Sequence, residues 1–144
     1  MIHLTMNLFL QAAVLAAGVN SPDPATRDYA TAFKHTEETG RPLVVLIGAD
    51  WCPGCRVMKH TTMPQLEKSG KLSKVAFAHV NADHQSDLAG KLMRGGSIPQ
   101  LVLFQKTDKG WKRQQLTGAQ SASDVEAFLD RHTDVPAAEL TRNE

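Results

Sequence analysis

Five consecutive apolar residues, Leu43-Val44-Val45-Leu46-Ile47, show no polar alternation and are followed at once by Gly48-Ala49-Asp50 and Trp51-Cys52-Pro53-Gly54-Cys55. A strand that is apolar on both faces has to be buried on both faces, so the rest of the chain must supply a covering layer for each. The motif that follows sets the end of that strand: a turn into a helix, with Pro53 suited to the first helical position. Cys52 and Cys55 are the only cysteines in 144 residues. At such a junction a Cys52 thiolate meets the positive end of a helix dipole and the free N–H groups of the first turn. Those conditions lower a thiol pKa, and the thiolate is the form that attacks disulfides. Pro53 leaves the Gly54 and Cys55 N–H groups to the thiolate, and Gly54 removes bulk beside an approaching disulfide. The chemistry these residues propose is thiol–disulfide exchange. Stapling is a poor explanation, because a bridge across two residues constrains the unfolded chain little.

Before the strand, Asp23 and Pro24 read as cap and first residue of a helix whose inner face carries Tyr29, Ala32, Phe33 and Thr36; Gly40-Arg41-Pro42 stops it. After the motif a helix runs through Arg56–Lys59, is broken or kinked at Pro64, and resumes over 65–72. A second strand covers 75–80, a helix 83–93 is closed by Gly95-Gly96, and Leu101–Phe104 is a third strand. Thr107-Asp108-Lys109-Gly110 is a turn into a fourth strand, 111–116, and Ser123-x-x-Glu126 reads as the capping box of a last helix. Strands separated by helices imply parallel crossovers, and the last two strands an antiparallel hairpin. The fold class is therefore α/β, a central mixed sheet with helices on both faces.

Hydrophobic content of 42%, charged content of 22% and a net charge of +1 describe an ordinary globular chain of one domain, with no basic field to recommend nucleic acid as a partner. Residues 1–18 stand apart: the run Leu8–Gly18 is apolar and rich in small residues, and Asn20–Pro24 breaks it. It reads as a signal peptide cleaved near Ala17 or Gly18, although only His3, and no Lys or Arg, precedes the apolar run. The alternatives are a buried N-terminal helix or a disordered leader, with a cytoplasmic location. The expected division is a leader over 1–18, a folded domain over 19–133 and a loose tail over 134–144, in a periplasmic or otherwise exported protein. No obvious exposed apolar stripe calls for a dimer, so a monomer is expected.

The element order, Trp51-Cys52-x-x-Cys55, Ser97-Ile98-Pro99 and Gly118-Ala119 together resemble the thioredoxin superfamily over nearly all of the chain after the leader. Within it, Ala49-Asp50-Trp51-Cys52 and Lys59-His60-Thr61 look most like the C-terminal thioredoxin-like domain of the periplasmic reductase DsbD and related small exported proteins. The resemblance implies the thioredoxin fold and a cis Ile98–Pro99 bond facing the cysteines, although only about 5–6% of X–Pro bonds are cis in folded proteins. It implies that Trp51 flanks the site and contacts the partner, and that the Ile98 backbone pairs with an extended substrate segment. Two departures stand out. The buried acid that thioredoxin carries six positions before its first motif cysteine is Leu46 here, so its proton shuttle is absent or supplied by Asp50, Lys59 or water. The central dipeptide is Pro-Gly where thioredoxin has Gly-Pro, which leaves the direction of the reaction open.

The function expected is that of a thiol–disulfide oxidoreductase, more a reductant of disulfides in exported proteins than an oxidant. Cys52 is the exposed nucleophile and Cys55, about one turn on and more buried, resolves the mixed disulfide. Trp51, Pro53, Gly54, Ile98 and Pro99 form the substrate surface. No metal or organic cofactor is needed. The partners are protein or peptide disulfides or dithiols and a recycling partner, a membrane electron donor if the protein is a reductase. One alternative is a copper- or zinc-binding module using the cysteines with His60, His79, His84, Met58 or Met63; another is an interaction domain with incidental cysteines. His35, His79 and His132 read as structural or solvated, His60 as close enough to affect a thiol, and Met58 and Met63 as packing residues.

Overall fold

A computed structural model describes residues 27–133; the leader, the Asp23–Pro24 cap and the tail over 134–144 lie outside the described residues. The elements run α1 (Tyr29–Thr39), β1 (Leu43–Gly48), α2 (Pro53–Val57), a π turn (Met58–Thr62), α3 (Met63–Lys68), a 3-10 turn (Lys71–Lys74), β2 (Ala76–Asn81), α4 (Ser86–Leu92), β3 (Gln100–Thr107), β4 (Gly110–Thr117) and α5 (Ala122–Thr133). Four strands form one sheet in the order β2-β1-β3-β4, with β1 and β2 parallel and the other pairs antiparallel. This is the thioredoxin fold.

β1 lies inside the sheet and is buried along almost all of its length, as its unbroken apolar run requires. Its alternate side chains serve two cores. Val44 and Leu46 join Met58, Met63, Leu66, Leu101, Leu103, Val125, Phe128 and Leu129 beneath α2, α3 and α5. Leu43, Val45 and Ile47 join Ala32, Ala78, Val80, Ala89, Leu92 and Val102 beneath α1 and α4. Helices thus cover both faces. Met58 and Met63 are packing residues of the first core.

β3 corrects the expectation of parallel crossovers. It pairs antiparallel with β1, Gln100 opposite Ile47 and Phe104 opposite Leu43. α4 has only seven residues, about 10 Å of rise, so it does not carry the chain back along the sheet. β3 therefore starts at the edge where β1 and β2 end. That places the Ile98–Pro99 turn beside the helix start that follows β1.

The helix boundaries also differ in instructive ways. α1 starts at Tyr29, where the Asp28 carboxylate accepts the Thr31 N–H at 3.0 Å, rather than after Asp23. The break expected at Pro64 is a widened turn: the Met63 N–H bonds the Met58 carbonyl, and the helix continues through a proline that donates no bond of its own. α3 ends at Lys68 because Gly70 takes a left-handed φ of 78°, so the expected stretch to Leu72 becomes a 3-10 turn. α4 begins at Ser86, after an Asx turn in which Asn81 Oδ1 accepts the Asp83 and His84 N–H groups. The capping box of α5 is Ser121 with Asp124, two residues before the expected pair. Glu126 is committed elsewhere, to Lys71 Nζ at 2.9 Å.

Candidate active site

Cys52 caps α2 with extended backbone (φ −83°, ψ 117°), and its Sγ accepts the Cys55 N–H at 3.2 Å. The chain turns sharply between β1 and α2: the Cys52 N–H bonds the Ala49 carbonyl, and Pro53 takes the first helical turn, where a missing N–H costs nothing. Cys52 and Cys55 are joined by a disulfide, with Cα atoms 5.2 Å apart. Cys55 packs directly on β1. A Cβ at Gly48 would lie 2.9 Å from both Cβ and Sγ of Cys55, so glycine is needed there for the helix to sit this close.

The expected contrast in exposure between the cysteines is absent in this oxidised form: Cys52 is 6% exposed and Cys55 5%. What separates them is their surroundings. Cys52 Sγ lies 3.9 Å from the Ile98 carbonyl oxygen, at the outer rim. Cys55 faces inward, towards Gly48 and a cavity.

The residues expected at the substrate surface come together around Cys52. The Ile98–Pro99 bond is cis. Gly54 packs against Pro99 and Ala119, each 3.4 Å from where its Cβ would stand, so Gly54 lets the helix start meet the turn. The Gly118 N–H bonds the Pro99 carbonyl at 2.8 Å, and Gly118 has a left-handed φ of 87°. Trp51 is 66% exposed, and its indole N–H donates to Asp83 Oδ2 at 3.0 Å. Pro53 is exposed and Ile98 half-buried, so the rim is apolar and open.

Two further residues were not legible as part of the site. Gln100 is fully buried: its Nε2 donates to the carbonyls of Arg94, Gly95 and Ser97, and its Oε1 accepts the Arg94 N–H. It holds the loop that ends in Ile98–Pro99. His79 lies opposite Leu46 in the β1–β2 register, on the face that α2 covers. It lines a cavity of about 80 Å³ with Leu46, Gly48, Cys55, Lys59 and Asn81, which fits the structural rather than the solvated of its two expected readings. Its Nε2 is enclosed and has no hydrogen-bond partner. Burial, with lesser contributions from the Lys59, Arg27 and His60 charges, lowers the imidazole pKa to about 4. Asp50 and Lys59 stand at the exposed side of the cavity, 3.8 Å apart, and Asn81 Nδ2 donates to Asp50 Oδ2. His60 is exposed in the π turn and does not line the cavity.

Among the described residues, no group of three or more His, Cys, Asp or Glu side chains is placed to hold a metal ion, and no helix is long and apolar enough to cross a membrane.

The profile of the thioredoxin-like family matches residues 24–106, more than half of the chain, and the chain belongs to that family. Over 65 residues it is 37% identical to a thioredoxin of Mycoplasma pneumoniae, which covers 44% of this chain and 59% of that protein. Over 79 residues it is 40% identical to the mitochondrial thioredoxin-2 of Schizosaccharomyces pombe, covering 53% and 52% respectively. The chain thus spans between half and three fifths of the length of these curated relatives. In three dimensions it is similar to a thioredoxin of Thermus thermophilus, with a TM-score of 0.60 at 20% identity, covering 72% of this chain and 82% of that one. The thioredoxin of Fasciola hepatica gives 0.54 at 28% identity, covering 72% and 92%.

Proposed function

We propose that this protein is a thiol–disulfide oxidoreductase acting on protein or peptide disulfides, in the reducing direction. The observation that carries the reading is the Cys52–Cys55 pair bridged at a helix start, beside an open apolar rim and the Ile98 carbonyl. A cap position that already accepts the Cys55 N–H stabilises negative charge on Cys52 Sγ, which makes Cys52 the nucleophile. Its thiolate attacks a substrate disulfide, and Cys55 then attacks Cys52 Sγ, releasing the reduced substrate. Trp51, Pro53, Gly54, Ile98 and Pro99 receive the substrate segment along the Ile98 backbone.

The apolar leader supports an exported setting, and the likeness of Ala49–Cys52 and Lys59–Thr61 to the C-terminal domain of DsbD supports a reductase recharged by a membrane electron donor. On this reading the mature domain spans 19–133.

Insulin reduction by the full chain, with a thiol reductant as electron source, tests the proposal. Wild type is expected to precipitate insulin well above the reductant alone, and Cys52→Ser to fall to that background. A Cys52→Ser protein with wild-type activity would sink it. Cys55→Ser is expected to trap partners as mixed disulfides, and none would accumulate if the two roles were wrongly assigned.

A further inference from the structure

Resolution of the mixed disulfide needs Cys55 as a thiolate, and its proton has to leave from the inner side of the bridge. A cavity of about 80 Å³ shared by Cys55 and His79 lies there, large enough to hold water. Of its other polar walls, Lys59 and Arg56 are cations, Asn81 is a neutral amide, and Asp50 stands at the exposed side, engaged by Lys59 and Asn81. Among the described residues lining the cavity, His79 is the neutral nitrogen base, and its Nε2 is enclosed without a partner.

We propose that His79 accepts the Cys55 proton through water held in this cavity when the mixed disulfide is resolved. The inference rests on the thiol–disulfide exchange proposed above. In the step, the Cys55 S–H proton passes by way of water to the His79 imidazole. The Cys55 thiolate attacks Cys52 Sγ, the Cys52–substrate S–S bond breaks, and the Cys52–Cys55 bond forms. The two electrons of that broken bond leave on the substrate thiolate, which is protonated from solvent. The His79 proton returns through the cavity, so charge and protons balance.

The groups facing the ring explain how it can act despite its low basicity in the bridged form. Burial chiefly, and then the charges of Lys59 and His60 on the π turn and of Arg27 before α1, oppose its protonation. A Cys55 thiolate adds an anion to the same cavity and offsets them, so the ring gains a proton as the thiol loses one.

The test uses the reduced full chain and the chromogenic disulfide dithionitrobenzoate, which releases one chromophore on attack by Cys52 and a second on resolution by Cys55. In His79→Asn and His79→Leu the first phase is expected to keep its rate. The second slows about 100-fold near neutral pH, and the deficit closes as pH rises into the range where Cys55 ionises unaided. Folded variants whose second phase keeps the wild-type rate and pH profile overturn the inference. Wild type that releases no second equivalent overturns the exchange reading itself, which separates the two failures.

Discussion

On the outer side of the Cys52–Cys55 bridge stand Trp51, Pro53 and the Ile98–Pro99 backbone; on the inner side lies the cavity of Asp50, Lys59, His79 and Asn81. The outer side offers apolar surface and main-chain groups, which accept partners of varied sequence. The inner side offers particular side chains with particular charges. On the proposed mechanism, partner recognition and proton handling fall on opposite faces of one bond. Substitutions should be able to damage either without the other.

The largest effect is expected at Gln100, the buried amide behind the outer loop. Gln100→Leu leaves the carbonyls of Arg94, Gly95 and Ser97 and the Arg94 N–H without their partner. A loss of about 3 kcal/mol in urea unfolding is expected, together with a raised KM for insulin. A variant as stable as wild type would show that the loop stands without it.

The inner side has its own signature in acid. His79 has a folded pKa near 4 against an ordinary value of 6.5. Between those values the unfolded chain binds the proton and the folded one does not. Stability is therefore complete above about pH 6.5 and falls as pH drops towards 4, by roughly 3 kcal/mol at most. Denaturation of the oxidised protein across that window should show the slope, and His79→Asn should lose that part of it. Identical slopes would mean that the ring is solvated.

These two residues also mark the limit of what a linear reading reaches. The outer side was largely legible, because Trp51–Cys55 and Ile98-Pro99 are contiguous signals whose meaning survives without knowing the packing. The inner side was not. His79 alternates along an ordinary strand, and only the register that sets it opposite Leu46 brings it to Cys55. Gln100 looks like a neutral start to β3 until three carbonyls curl around it. Local rules erred where two candidates satisfied them equally. Asp28 as well as Asp23 could cap a helix, and Ser121-x-x-Asp124 competes with Ser123-x-x-Glu126; the hydrogen bonds of Asp28 and Ser121 close the caps of the described helices. The double burial of β1 was legible throughout, since no other placement hides five apolar side chains.

Smaller effects sharpen the comparison. Gly48→Ala forces a methyl against Cys55 and should cost about 2 kcal/mol, measured by urea unfolding, while disturbing the inner cysteine more than the outer. Trp51→Ala removes an exposed ring and one hydrogen bond, so stability should change by about 1 kcal/mol or less. Its expected cost is in kcat/KM for protein substrates, about tenfold or 1.4 kcal/mol, with little change towards a small disulfide. Equal loss on both substrates would show that Trp51 acts on the cysteines and not on the partner.

The central claim is that Cys52–Cys55 is a working redox couple and not an inert bridge. Equilibration of the wild-type protein against a glutathione series, with thiols counted by alkylation and mass, tests it most directly. A reversible two-electron transition between about −270 and −120 mV is the predicted result, with the reducing role placing it towards the lower value. A bridge that does not exchange, or one whose potential lies below about −300 mV as in structural disulfides, would contradict the account.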